Sequence, residues 1–422
     1  MSKPFLLFKG PVATRSGYGD HARDLLESLF ELDKYDIKVV PTRWGNTPQN
    51  QLNPTTEVGK KIIENCVTKI EKQPDIFVQL TVANEFEPIG KYNIGITAGV
   101  ETTVAPKEFI DGCNRMNLII VPTKFTKQTL LDTVYDERDN RTQQLVRQIK
   151  VTTPIEVLHE GVDLETWQAP KKIDNFLEGI ETDFNFLVCG HWLQGDLGQD
   201  RKDIGMTIKT FCTVFKSLPK GKQPGLILKT STAGFSVMDR ENITKKIDQL
   251  IQEVGEKCPP IYLLFGDLSV NEMANLYHHP KVKAMVSFTK GEGYGRPLCE
   301  FTLTGKPIIV SKWSGHTDFL PENYTVYIDG ELKEVHPSAA NQFLLKEAKW
   351  FSVNYSDAAK KIFDVFNNYK SHLVKSANLK INTRKFFSLK HMTTLFNNIL
   401  TKHANIKVPE RVELKLPEIK KL

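Results

Sequence analysis

The chain has 422 residues, 40% of them hydrophobic and 25% charged, with a net charge of +6. At roughly 100–200 residues per domain, this length makes two or three domains, each able to bury its own core. The composition is ordinary for a globular protein, and no apolar run approaches the ~20 residues of a membrane span. So small a basic excess suits an anionic ligand such as a nucleotide, and equally nucleic acid or a membrane surface, but requires none of them.

Taken in chain order, the first apolar run, residues 5–8, is too short for a signal peptide and lacks a small-residue cleavage site. It reads as the first buried strand of a cytoplasmic protein. Further strand-like runs fall at 37–40, 76–80, 92–96, 118–121 and 155–158. After residue 180 they recur at 184–189, 226–229, 261–265, 284–288, 307–310 and 326–328. Helical spacing appears between them at 21–32, 59–72, 204–216, 244–254, 271–277 and 358–369. Such alternation predicts parallel sheets covered on both faces, an α/β fold. It pauses over 163–183, which reads as a linker between a domain over 1–168 and a second over 183–383. Ligands then bind beyond the carboxyl ends of the strands. The amphipathic stretch 384–402 is long enough for one terminal helix.

Six cysteines, at 66, 113, 189, 212, 258 and 299, form no Cys-x-x-Cys pair and read as reduced thiols. The cations Lys124, Lys127, Arg138, Arg141 and Arg147 are compatible with phosphate tracking or an anionic membrane, but read first as a solvated face.

The most informative segment runs from Phe288 through Glu292, Gly293, Tyr294, Gly295, Arg296, Pro297 and Leu298 to Glu300. A buried strand ends at Phe288, a glycine-rich loop follows, and Pro297 suits the first turn of a helix. A helix start there points free N–H groups at an anion, and glycines let backbone approach a ligand. Carboxylates beside a phosphate site accept hydrogen bonds from diols. Phosphate plus diols describes a nucleotide sugar.

These two glutamates, separated by seven residues, resemble the signature of family-four retaining GT-B glycosyltransferases. Segments 121–125, 159–163, 266–277, 305–310 and 314–318 are similar to other parts of that family in the same order. One of them, His159-Glu-Gly-Val-Asp163, carries an extra Glu against the family's His-Gly-Val-Asp. The resemblance implies two Rossmann-like domains facing across a cleft, with the 384–402 helix packing back on the first. It implies that Glu300 holds the ribose hydroxyls and Glu292 contacts the transferred sugar. The backbone at Gly293, Tyr294 and Gly295 would meet sugar and distal phosphate, with Leu298, Gly266, Leu268 and Gly17 also on the donor side. The family places two cations on the diphosphate. Here Gly190 is followed by His191 where the family has Arg, and a longer loop precedes Arg201 and Lys202. Lys202 fits the Lys role; Arg201, Arg296 and Lys229 are the remaining candidates. Arg15, His21 and Glu101 are acceptor-side candidates.

The chain has no Asp-x-Asp motif, so cationic side chains, not a metal, are expected to stabilise the leaving diphosphate. The expected substrate is a UDP- or GDP-linked sugar, with no cofactor beyond it. Polysaccharide, lipid, protein and modified DNA bases all remain open as acceptors. The rival reading is a sugar-nucleotide-binding protein without catalysis.

Overall fold

The computed structural model describes residues 3–173, 177–232, 234, 236–255 and 257–404. Short runs of consecutive apolar residues, buried on both faces, build two six-stranded sheets. The first half contains β1 (Phe5–Gly10), α1 (Gly17–Leu32), β2 (Asp36–Pro41), α2 (Glu57–Glu64), β3 (Ile76–Leu80) and β4 (Tyr92–Ile96). It continues with α3 (Lys107–Cys113), β5 (Leu118–Val121), α4 (Lys124–Asp132), a hairpin of β6 (Tyr135–Arg138) and β7 (Leu145–Ile149), and β8 (Ile155–Val157). Its sheet is parallel throughout, in the order β2-β1-β3-β4-β5-β8.

The second half holds β9 (Asn185–Cys189), α5 (Ile204–Phe215), β10 (Gly225–Lys229), α6 (Val237–Val254), β11 (Ile261–Leu263), α7 (Val270–His278) and β12 (Val282–Ser287). Next come α8 (Arg296–Thr302), β13 (Ile308–Ser311), β14 (Val326–Ile328) and the antiparallel pair β15 (Gly330–Glu334) and β16 (Lys349–Val353). The parallel order β11-β10-β9-β12-β13-β14 is that of a dinucleotide-binding sheet. Its order reverses between β9 and β12, so the loops leaving these two strands diverge and open a crevice.

Three helices end the described residues: α9 (Tyr355–Asn367), α10 (Tyr369–Phe386) and α11 (Leu389–His403). α11 buries Met392, Phe396 and Leu400 among Leu25, Leu29 and Val39 of the first half. Thr393 and Ser28 share a hydroxyl hydrogen bond of 2.9 Å at that contact. Leu379 of α10 and Phe387 instead join the core of the second half.

Several expectations need correction. The stretch 384–402 is two helices, because Ser388 leaves helical geometry and caps α11 by accepting from the His391 amide. The segment at 387–389 bonds to Val162 in extended fashion instead. The helix expected over 59–72 ends at Glu64, and the apolar residues beyond it serve a bridge between Cys66 and Val39. Cys212 and Cys258 are joined as a disulfide, with Cα atoms 5.1 Å apart, leaving four free cysteines. Of the linker, residues 174–176 lie outside the described residues; Trp167, Leu177 and Ile180 pack in the core of the second half.

Candidate functional site

β12 delivers the chain into the loop from Phe288 to Gly295, whose last residue takes φ +97°, the left-handed region that favours glycine. Arg296 and Pro297 then open α8. A Cβ on Gly291 would stand 2.0 Å from the Glu101 carbonyl oxygen, and one on Gly293 would stand 2.6 Å from that of Ala98. These glycines therefore bring the loop against the β4 loop of the first domain. Thr123 donates to the Gly293 carbonyl at 2.9 Å, and the Tyr294 hydroxyl donates to the Glu160 carbonyl at 2.6 Å. The loops at the carboxyl ends of both sheets are thus interleaved at a closed seam.

Glu292 is nearly buried in that seam and meets two cations. Lys202 forms an ion pair with Oε1, and Arg201 Nη1 lies 3.3 Å from Oε2. Burial alone would raise this carboxyl; Lys202 and then Arg201 outweigh it and hold it down to about 2. Arg201 also donates to the Gly291 carbonyl at 2.9 Å and lies 3.7 Å from Glu101. The Glu292 amide donates to Ser314 Oγ at 2.9 Å.

The cation-bearing loop is fixed from beneath. Asp203 Oδ2 accepts from Lys290 Nζ at 3.3 Å and from the Tyr355 hydroxyl at 2.8 Å, both acid and lysine being essentially inaccessible. The Lys290 amide donates to the Arg201 carbonyl at 2.7 Å. Buried ion pairs are weak sources of net stability but hold a unique geometry well, and this one sets where Arg201 and Lys202 emerge.

Glu300, one turn into α8, is buried 3.2 Å from Arg296 Nε and hydrogen-bonded to Tyr277. Burial pushes it up to about 8; Arg296 opposes this, while Asp20, Asp24 and Glu160 add to it. Arg296 turns away from Lys202 and reaches Asp24 Oδ2 at 2.8 Å and Glu160 Oε2 at 3.2 Å.

The other candidates have partners of their own, though Lys202, Lys229 and Arg201 together lower the His191 imidazole after burial has done so. Lys229 Nζ donates to the Gly266 carbonyl at 2.6 Å, near Leu268, which packs against the second core. Arg15 pairs across the seam with Asp267. Gly17 opens α1 behind the Ser16 cap, and His21 is buried and lowered to about 4 by that burial. His21, Gly17 and Glu160 line a water-sized cavity of about 20 Å³ with Tyr18 and Thr97. Leu298 packs in the second core beside Tyr294. His191 shares a 2.9 Å hydrogen bond with Ser231. The sequence reading missed Asp24, Asp203 and Lys290, whose partners are far away in the chain. Glu160 was visible as the extra residue of its segment.

Among the described residues, no group of three or more His, Cys, Asp or Glu is arranged to hold a metal ion. No described helix is long and apolar enough to cross a membrane.

No protein-family model matches the chain, and no curated protein matches it in sequence. Solved structures do match in fold. A glycosyltransferase from Rickettsia africae aligns over 96% of this chain and 100% of its own, at 14% identity and TM-score 0.62. A sucrose-phosphate synthase from Thermosynechococcus elongatus covers 95% and 98%, at 13% and 0.61. HepE from Anabaena, in complex with UDP, covers 94% and 100%, at 11% and 0.59. With its two parallel sheets meeting at a seam, the chain has the GT-B fold.

Proposed function

We propose that this chain is a glycosyltransferase that moves a sugar from a UDP- or GDP-linked donor to an acceptor, with retention and without a metal. One observation carries the reading: Glu292, held by two cations, and Glu300 lie on one strand–loop–helix unit at the switch point of the second sheet. Likeness in fold to HepE, which was solved with UDP-glucose, supports UDP as the nucleotide to try first.

Ionised Glu300 accepts hydrogen bonds from the ribose hydroxyls. Lys202 and Arg201 exchange Glu292 for the diphosphate and stabilise the charge that grows on it as the glycosidic bond breaks. Glu292, released, turns to the hydroxyls of the transferred sugar. Retention at the anomeric carbon rests on the resemblance of the Glu-x7-Glu signature. The closed seam keeps water from the reacting carbon.

The test is sugar release from UDP-glucose in excess chelator, with UDP affinity followed by calorimetry. Release should persist in chelator, and Glu300→Ala should weaken UDP binding by ~1.5–3 kcal/mol, the range for a hydrogen bond to a charged group. Unchanged UDP affinity in a folded Glu300→Ala protein overturns the donor site. Activity lost in chelator and restored by magnesium overturns the cationic pocket. Tight UDP binding without transfer to any acceptor or water favours a binding protein.

A further inference from the structure

Arg296 lies one turn before Glu300, yet two of its three nearest carboxylates belong to the other domain. Its guanidinium spans Asp24 on α1 at 2.8 Å, Glu160 just after β8 at 3.2 Å, and Glu300 at 3.2 Å, with Asp20 at 4.0 Å. An arginine fork has five donors and can serve three such groups at once. It carries only one positive charge, however, against four acids.

The surroundings supply little further compensation. Arg23 pairs with Asp20, so that acid is already offset. His21, beside Asp24, is driven neutral by burial. Tyr277 and Cys189, on the other side of Glu300, are likewise held neutral by burial. The Tyr294 hydroxyl serves the backbone of Glu160, not its carboxylate. Arg296 is therefore the one charge among its described neighbours that holds Glu300 in its ionised form, helped by the hydrogen bond from Tyr277, while Asp20, Asp24 and Glu160 work against it.

We propose that Arg296 is a positioning residue: through Asp24 and Glu160 it clamps α8 to α1 across the seam, and so ties the charge on Glu300 to domain closure. This rests on the reading of Glu300 as the ribose ligand. Opening the seam carries Asp20, Asp24 and Glu160 away and leaves Glu300 with Arg296 alone, ionised and ready for a diol. Closure without a nucleotide brings the three acids back, whereas a bound diol, donating to Glu300, keeps it ionised in the closed complex. Without the diol, burial raises Glu300 to about 8 and Glu160 to about 7, so the empty closed form takes up protons. The sign follows. These carboxyls are raised in the closed form, so its advantage is full below their ordinary range and shrinks as pH rises toward 8.

The experiment is calorimetric titration with UDP from neutral to alkaline pH on the full chain, together with scattering without nucleotide. Glu300→Gln supplies the baseline, because it removes that carboxyl's own titration. Relative to it, wild-type affinity should rise with pH as Glu300 ionises. Asp24→Asn should move this rise down by about one pH unit, the size of losing a nearby like charge, and should expand the protein in scattering. Arg296→Met should move the rise upward, weakening UDP binding about tenfold at neutral pH for each unit. Arg296→Lys should restore the position of the rise but not the compact form, because it keeps the charge and loses the fork. A merely structural role would not shift the rise in opposite directions. If Glu300→Gln abolishes the rise while Asp24→Asn and Arg296→Met leave it in place, the clamp is refuted and the donor site stands. If Glu300→Gln leaves both affinity and rise unchanged, the donor reading fails and takes the clamp with it. Should Arg296→Met not fold, Asp24→Asn alone decides.

Discussion

Replacing Lys202 with Met keeps the length of the side chain and removes its ammonium from Glu292. The cost follows from the titration of that acid. Its carboxyl stands at about 2 against an ordinary 4.5, although burial pushes the other way. At about 1.4 kcal/mol per unit, Lys202 and Arg201 together outweigh burial by about 3 kcal/mol. Lys202 is the larger contributor, so its loss should destabilise the chain by about 2 kcal/mol, less than the ~3–5 of a fully orphaned buried charge because Arg201 remains. Glu292 is depressed in the folded state. Its contribution is present above the ordinary carboxylate range and vanishes as pH falls toward 2. In Lys202→Met that acid loss should be smaller and should be complete at higher pH. Urea denaturation at neutral and acid pH measures both effects. Donor turnover should fall on the order of 10²–10³-fold, as when one group stabilising a developing anion is removed. A variant with wild-type stability and an unmoved acid limb would show that the pair does not hold Glu292. Intact turnover would show that Lys202 does not carry the diphosphate.

Two other expectations test the frame around the site. Phe396→Ala removes an inaccessible ring of α11 from the core it shares with α1, and should cost ~3–5 kcal/mol in urea denaturation; a loss under about 1 kcal/mol, the scale of an exposed change, would mean that α11 does not seal the first domain. Thiol titration of the denatured chain should count four reactive cysteines without reductant and six with it. Six in both conditions would remove the Cys212–Cys258 bond.

Where one physical signal dominated, the sequence was readable. Residues 118–121 are consecutive apolar side chains, and such a run is stable only as a strand buried on both faces. The pair β6 and β7 carries the opposite signal: Tyr135–Arg138 is mostly charged and Leu145–Ile149 mostly exposed, so no buried apolar run marks them. The break at Ser388 escaped because apolar spacing continues through it, and a single capping serine weighs little in a periodic pattern. Glu292 and Glu300 stand out in the sequence through their glycine-rich loop and Pro297, and the structure pairs Glu292 with Lys202. Asp24 does not stand out. On an amphipathic helix an acid reads as solvent-facing, and only the approach of Arg296 from 272 positions away makes it a partner. Gly293 was read for close approach to a ligand, and Gly291 was not read at all; the tight contacts of both lie elsewhere. Their missing side chains admit the backbone of the first domain at Glu101 and Ala98.

The return of α11 to α1 also has a consequence during synthesis. Met392, Phe396, Ile399, Leu400 and Ala404 complete a core whose other buried members precede residue 159. When the ribosome has finished β8, the first sheet still lacks the wall that covers α1 and leaves Leu25 and Leu29 facing water. At ~5–20 residues per second, tens of seconds pass before α11 emerges. The second half, whose strands and helices are contiguous in the chain, can assemble in that interval. The domain translated first is therefore the one that finishes folding last, and until then it is the part of the nascent chain most in need of a chaperone.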